Sequence, residues 1–206
     1  PGTPWMDGSM DLQGRLWGDS RAVNGDVVFT ARQGRIHRYN LLSKIFSVLN
    51  PYKMIKTGTL DLLHTGFPYN EITATFSIRD SVITFNDFYL DSNSIQVSAI
   101  GQYLMRTHYL DAVLGIEPLQ TFDKTITQIP IVGWVLTGEK GTLVVVSLRV
   151  RGPVDDISAK YLPVDTLTKP VAESLLRILK LPKDLITKPR EVILPGVLKK
   201  NGQDKP

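Results

Sequence analysis

Residues 71–101 read Glu71-Ile72-Thr73-Ala74-Thr75-Phe76-Ser77-Ile78-Arg79-Asp80-Ser81-Val82-Ile83-Thr84-Phe85-Asn86-Asp87-Phe88-Tyr89-Leu90-Asp91-Ser92-Asn93-Ser94-Ile95-Gln96-Val97-Ser98-Ala99-Ile100-Gly101. In an extended chain Ile72, Ala74, Phe76 and Ile78 fall on one side, and Glu71, Thr73, Thr75, Ser77 and Arg79 on the other. After a turn at Asp80-Ser81 the period of two returns with Ile83 and Phe85, then Phe88 and Leu90, then Ile95 and Val97. Successive side chains of a strand point to opposite faces, so the stretch predicts a meander with one apolar and one polar face. Ile72, Phe76, Ile78, Ile83, Phe85, Leu90 and Val97 are the residues expected to line the apolar face.

Working outward, the same signals recur. Met10, Leu12, Gly14 and Leu16 alternate with polar neighbours and predict a first strand over 10–17. Asn24-Gly25 and Gln33-Gly34 read as turns on either side of the run Val27-Val28-Phe29, with a short third strand over 35–39. Asn40 is a candidate N-cap for a helix over 41–49, ended by Asn50-Pro51. Extended structure resumes over 57–64. Gly101 is expected to separate strands over 95–100 and 104–116, and residues 118–127 read as helical or irregular. Residues 131–135 are short and apolar, 138–141 are a turn, and 142–151 are strongly β-favouring. There Val144, Val146, Leu148 and Val150 oppose Leu143, Val145, Ser147 and Arg149. One last strand is expected over 157–162. Thr168 then reads as an N-cap and Pro170 sits in the first turn of a helix, where its missing N–H is harmless. Val171, Leu175, Ile178 and Leu179 form its apolar stripe, with Glu173, Ser174, Arg177 and Lys180 opposite. The fold class expected is therefore mainly β: a curved, groove-like antiparallel sheet with two or three short helices, one near the C-terminus. The division expected is a β-sheet domain over 1–162 and an amphipathic helix with a basic, proline-containing tail over 163–206.

Composition sets the frame. With 206 residues, 42% of them hydrophobic, the chain can bury a real core, and 21% charged residues exclude a disordered body. The formal net charge is +4, and the excess gathers at Lys180, Lys183, Lys188, Arg190, Lys199, Lys200 and Lys205. Such a cluster suits an anionic membrane surface or nucleic acid, or else a solvated basic tail, the commoner reading for the last eight residues. Cysteine is absent, which removes disulfides and thiolate metal sites and fits either side of a membrane. No apolar run approaches the roughly 20 residues of a spanning helix, and no signal peptide is visible. The chain begins Pro1-Gly2-Thr3-Pro4 rather than with methionine, so it is expected to be a piece of a longer protein.

Catalytic patterns do not emerge. His37, His64 and His108 are each isolated, with no His-x-x-x-His to hold a metal, and Ser9 lacks the flanks of a nucleophile elbow. Gly138-Glu139-Lys140-Gly141 lacks phosphate-loop spacing and reads as a hairpin turn. Asp155-Asp156 and the set Asp61, Asp87 and Asp91 are candidate carboxylates for acid–base work, although turn carboxylates are the commoner reading. Trp5, Trp17 and Trp134 are scattered, without the interleaving of aromatic and basic residues that stacks nucleic-acid bases. The chain is expected to be no enzyme, to need no cofactor or metal, and to bind no nucleic acid.

The order of segments carries a resemblance. Gly34-Arg35-Ile36 precedes the leucine-rich 41–50, then Ala74-Thr75-Phe76-Ser77-Ile78-Arg79-Asp80, then Tyr89-Leu90-Asp91-Ser92. Gly101, Tyr103, Leu110 and Asp111 follow, then Pro130, Gly133, Leu136 and Gly138, and finally Val150-Arg151-Gly152-Pro153 leading to Asp156-Ile157. Over roughly residues 8–162 this resembles the AsmA-like C-terminal domain, through the order and spacing of β-type segments rather than through a catalytic residue. The chain departs from the pattern at Ser81, where the family more often has glycine.

That resemblance implies a phospholipid-binding β-groove in the cell envelope of Gram-negative bacteria. By it, the chain would be the periplasmic C-terminal part of a bridge-like lipid-transfer protein of the AsmA, TamB and YhdP type, its parent anchored in the inner membrane. The implied role is to help move phospholipid towards the outer membrane. Beside it stands an ordinary closed core, in which residues 41–49 and 171–179 serve as lids on the apolar face. The chain would then be a non-transporting module that docks a partner protein or a membrane. Leu175, Arg177, Ile178, Leu179 and Lys180 are the residues expected at a membrane or partner contact, or else docked on the sheet.

Overall fold

The computed structural model describes residues 5–19, 21–37, 66–119, 133–138 and 141–180. The strands are β1 (Ser9–Gly18), β2 (Val23–Ile36), β3 (Phe67–Arg79), β4 (Val82–Asp91), β5 (Ile95–Leu104), β6 (Tyr109–Pro118), β7 (Gly133–Gly138), β8 (Gly141–Pro153) and β9 (Ser158–Tyr161). A 3₁₀ turn (Val164–Thr166) leads to one helix, α1 (Lys169–Leu179). All nine strands join one open antiparallel sheet in the order β1-β2-β3-β4-β5-β6-β8-β7. The long β8 pairs β6 along one side; on its other side β7 takes the first half and β9 the second. The expectation of a mainly β antiparallel sheet with a helix near the C-terminus holds. Among the described residues α1 is the one α-helix, against an expected two or three. The helix expected over 41–49 and the strand over 57–64 lie outside the described residues, as does nearly all of 118–127.

Two turn assignments and one strand break are corrected. Asn24-Gly25 lies inside β2, because its flanks pair outward with β1 and β3 rather than with each other. An Asn-Gly signal makes a hairpin only when its flanks pair. Here the Asn24 side chain accepts the Asp80 N–H at 3.0 Å instead. Gln33-Gly34 does not end the strand either: Gln33 takes φ 51° and pairing with β3 resumes at Gly34, so the expected third strand is the tail of β2. Gly101 lies within β5, opposite Phe85 of β4 and Ala112 of β6. A Cβ there would stand 2.5 Å from the Asp111 carbonyl oxygen, so the glycine serves close approach of strands, not a break.

The β3–β4 hairpin turns where expected. Asp80 and Ser81 have φ 49° and 65°, the paired left-handed conformation of a two-residue hairpin loop. Glycine would meet this at lower strain, but Ser81 adds one bond glycine lacks: its Oγ accepts the Val23 N–H at 3.2 Å. The backbone N–H of Ser81 also donates to the Val23 carbonyl at 2.9 Å.

Upstream of β1, Asp7 ties the chain to the end of β2. The Arg35 N–H donates to Asp7 Oδ1 at 2.6 Å, and His37 Nε2 lies 2.9 Å from Oδ2. The His37 bond and then the Arg35 amide hold the Asp7 carboxyl below its ordinary value of 3.8. A lowered carboxylate stabilises the folded state above its unfolded pKa, and that contribution is lost as pH falls through the folded value. We expect the Arg35 amide resonance to titrate with a midpoint below 3.8. Asp7→Ala should abolish this titration, and a midpoint at or above the ordinary value would contradict the contact.

A candidate lipid-binding face

Residues directly opposite in an antiparallel pair share a face, so the register assigns every side chain. One row runs Met10–Ala31–Ile72–Leu90–Val97–Ile116–Val146 across the sheet. Two rows further along, Gly14, Val27, Phe76, Phe85, Gly101, Ala112 and Val150 align, and beyond them Leu16, Gly25, Ile78, Ile83, Tyr103 and Leu110. All seven residues expected on the apolar face therefore lie on the same face of the same sheet. The structure also explains why the apolar period slips from Phe85 to Phe88. The register shifts there against both β3 and β5, so β4 carries a β-bulge at Asn86-Asp87. The extra residue returns Phe88 and Leu90 to the apolar side. Asp87 Oδ1 accepts the Thr75 N–H at 2.7 Å where the ladder is interrupted. Phe85 meets Phe76 and Phe88 edge-on, with ring centroids 6.3 and 6.4 Å apart.

The face is covered unevenly. Ile72 and Leu90 are 4% exposed, and Val97 and Ile78 are 7% exposed. They belong with Ala31, Leu114, Ile116, Leu148, Val150 and Ile157 to the buried core or its margin. Phe76, Ile83 and Phe85 are half-buried. On β1 the face opens to solvent: Met10, Leu12 and Leu16 are 52, 68 and 64% exposed. Sequence reading found the alternation of these three residues, but their membership of the apolar face needed the β1–β2 register, which periodicity does not contain.

The other face is polar and carries the helix. Arg32, Glu71, Asp91, Gln96 and Glu117 form a row, with Arg32 Nε 3.2 Å from Glu71. Asp91 is buried and accepts from Asn70 Nδ2 and Gln96 Nε2, each at 3.0 Å. Burial raises the Glu117 carboxyl, and burial followed by the neighbouring Asp91 charge raises the Tyr89 hydroxyl. Of the candidate acid–base carboxylates, Asp87 bonds the bulge and Asp91 bonds amides, whereas Asp155 and Asp156 are exposed in the β8–β9 turn. Asp61 lies outside the described residues. Among the described residues no three His, Cys, Asp or Glu side chains group as metal ligands, and no helix is long and apolar enough to cross a membrane.

Helix α1 starts at Lys169 with Pro170 in its first turn. Thr168 holds the N-cap position, although its hydroxyl makes no capping bond. Leu175, Ile178 and Leu179 are 2, 1 and 7% exposed, while Arg177 and Lys180 face solvent. The stripe packs with Tyr89, Val145 and Ile100, all on the polar side. Ser98, Gly115 and Ser147 line up across β5, β6 and β8 and leave room for it. A Cβ on Gly115 would sit 3.5 Å from that of Leu175, an ordinary contact. The helix is thus no lid on the apolar face, which corrects one of the two lids expected. The other, 41–49, lies outside the described residues. No family model, curated protein or solved structure matches this chain.

Proposed function

We propose that this chain binds phospholipid acyl chains along its apolar face, and that it is the C-terminal part of a cell-envelope protein that helps move lipid between inner and outer membranes. One observation carries the reading: the apolar rows run without interruption from the half-buried Phe76, Ile83 and Phe85 to the exposed Met10, Leu12 and Leu16. The single described helix lies on the opposite face. At about 4.8 Å per strand, the row from β1 to β6 spans about 24 Å, a reach suited to an acyl chain lying across the strands. Each methylene buried there gains about 0.8 kcal/mol, so no polar site is needed for the tail. Curvature of the sheet would make the face a groove. The resemblance to AsmA-like domains adds the periplasm, an inner-membrane-anchored parent and a non-enzymatic role to the proposal.

A specific observation favours a second reading over part of the face. Ile72, Leu90 and Val97 are as buried as ordinary core residues, as they would be in a closed module that docks a partner. Native mass spectrometry of the purified protein, with lipid extraction, decides between the two. Lipid transfer predicts co-purified phospholipid at near-stoichiometric occupancy. A mass that stays free of lipid after incubation with phospholipid vesicles would leave the closed module.

A further inference from the structure

We infer that β1 is a self-association edge, through which two copies of this chain pair antiparallel about a two-fold axis at Gln13. The inference stands on β1 alone and does not rest on lipid binding. All ten residues of β1 are exposed, and among the described residues the strand pairs with β2 on one side only. Proteins blunt such edges with charged side chains, lysine above all, or with proline, bulges or short length. β1 reads Ser-Met-Asp-Leu-Gln-Gly-Arg-Leu-Trp-Gly: it has no lysine or proline, it pairs β2 in unbroken register from Ser9 to Gly18, and its two charges, Asp11 and Arg15, are of opposite sign and so do not repel a second copy.

Its charges select the occupant. Asp11 and Arg15 are the charged residues of the strand and lie two positions either side of Gln13. When two copies pair antiparallel with Gln13 opposite Gln13, Asp11 of each faces Arg15 of the other. In the isolated chain the Asp11 carboxylate accepts from Gln13 Nε2 at 2.7 Å, and Arg15 makes no ion pair among the described residues. Arg15 has Asp26 opposite it on β2, but that carboxylate is bound by Arg79 at 3.0 Å. The same register sets Met10 against Leu16 and Leu12 against Gly14. The exposed apolar side chains of one copy thus cover those of the other on the same face. A self-complementary pattern of this kind is what an isologous two-fold contact requires.

The absence of native cysteine makes the register directly testable. Opposite residues in an antiparallel pair have Cα atoms about 4.5–5.5 Å apart, within disulfide range. Gln13→Cys should therefore cross-link to a covalent dimer under mild oxidation. Met10→Cys, whose own copy lies about 20 Å away along the strands, should not. In sedimentation equilibrium, Asp11→Arg and Arg15→Asp should each weaken self-association about tenfold or more, since each sets like charges opposite one another twice. An equimolar mixture of the two variants should recover a dimer, because every facing pair is then opposite in charge. Far-UV circular dichroism checks that both variants fold. A wild-type protein that stays monomeric to about 1 mM overturns the inference. So does a dimer indifferent to both reversals, or one in which Gln13→Cys cross-links no faster than Met10→Cys.

Discussion

Ile83→Asp is expected to leave the protein folded and to remove bound phospholipid. Ile83 is half-buried, aligned with Ile78 on β3 and Tyr103 on β5, in the row that ends at the exposed Leu16. A carboxylate there keeps its hydration while the face is empty. Seating an acyl chain against it would strip that water, at a cost of several kcal/mol with no cation opposite. Occupancy in native mass spectra should fall at least about a hundredfold while the melting temperature moves by only a few degrees. Phe76→Asp should act alike, with a larger loss of stability because Phe76 packs edge-on against Phe85. Ile116→Asp is the contrast: Ile116 is 0% exposed, and a charge buried there should unfold the domain. If Ile83→Asp unfolds the chain just as Ile116→Asp does, the face is a closed core and the lipid reading fails.

Leu175→Asp is expected to release α1 while the sheet stays folded. Leu175 is 2% exposed and sits above Gly115, where the strand surface is made of Ser98, Gly115 and Ser147. On that face the cations of β8, Arg149 and Arg151, are already paired with Asp111, so the helix must leave for the charge to be hydrated. An 11-residue helix is marginal alone, and its residence depends on the buried stripe. Loss of a buried leucine contact of this kind costs about 2–5 kcal/mol before the charge is counted. Hydrogen exchange should show amides of residues 172–180 losing protection, while those of β5 and β6 away from the helix keep theirs. Uniform loss of protection across the sheet would mean that α1 is integral to the fold rather than docked on it.

The apolar face was legible because residue identity alone fixes it once a strand is assumed. Ile72, Phe76, Ile78, Ile83, Phe85, Leu90 and Val97 needed only the period of two, and even the bulge announced itself as a slipped period between Phe85 and Phe88. α1 was legible from its stripe and from Pro170. What periodicity lacks is long-range pairing. Asn24-Gly25 has the chemistry of a turn, but its neighbours across the sheet decide otherwise. Gly101 looks like a breaker when read along the chain and like a packing contact when read across it. The side on which α1 docks was likewise hidden, because its signal is a row of single small residues, Ser98, Gly115 and Ser147, drawn from three different strands.

The two borders of the sheet are not equivalent. Among the described residues one is β1, unbroken for 10 residues, whereas the other is divided between β7 with 6 and β9 with 4. A divided border is a poor template for a further strand, so hydrogen-bonded growth of this sheet has one good direction. When a second copy joins through its own β1 that direction is used up, because both borders left free are then divided ones. Such a layer is built to be extended once and then stop, the opposite of the repeating two-sided geometry that turns sheets into fibrils.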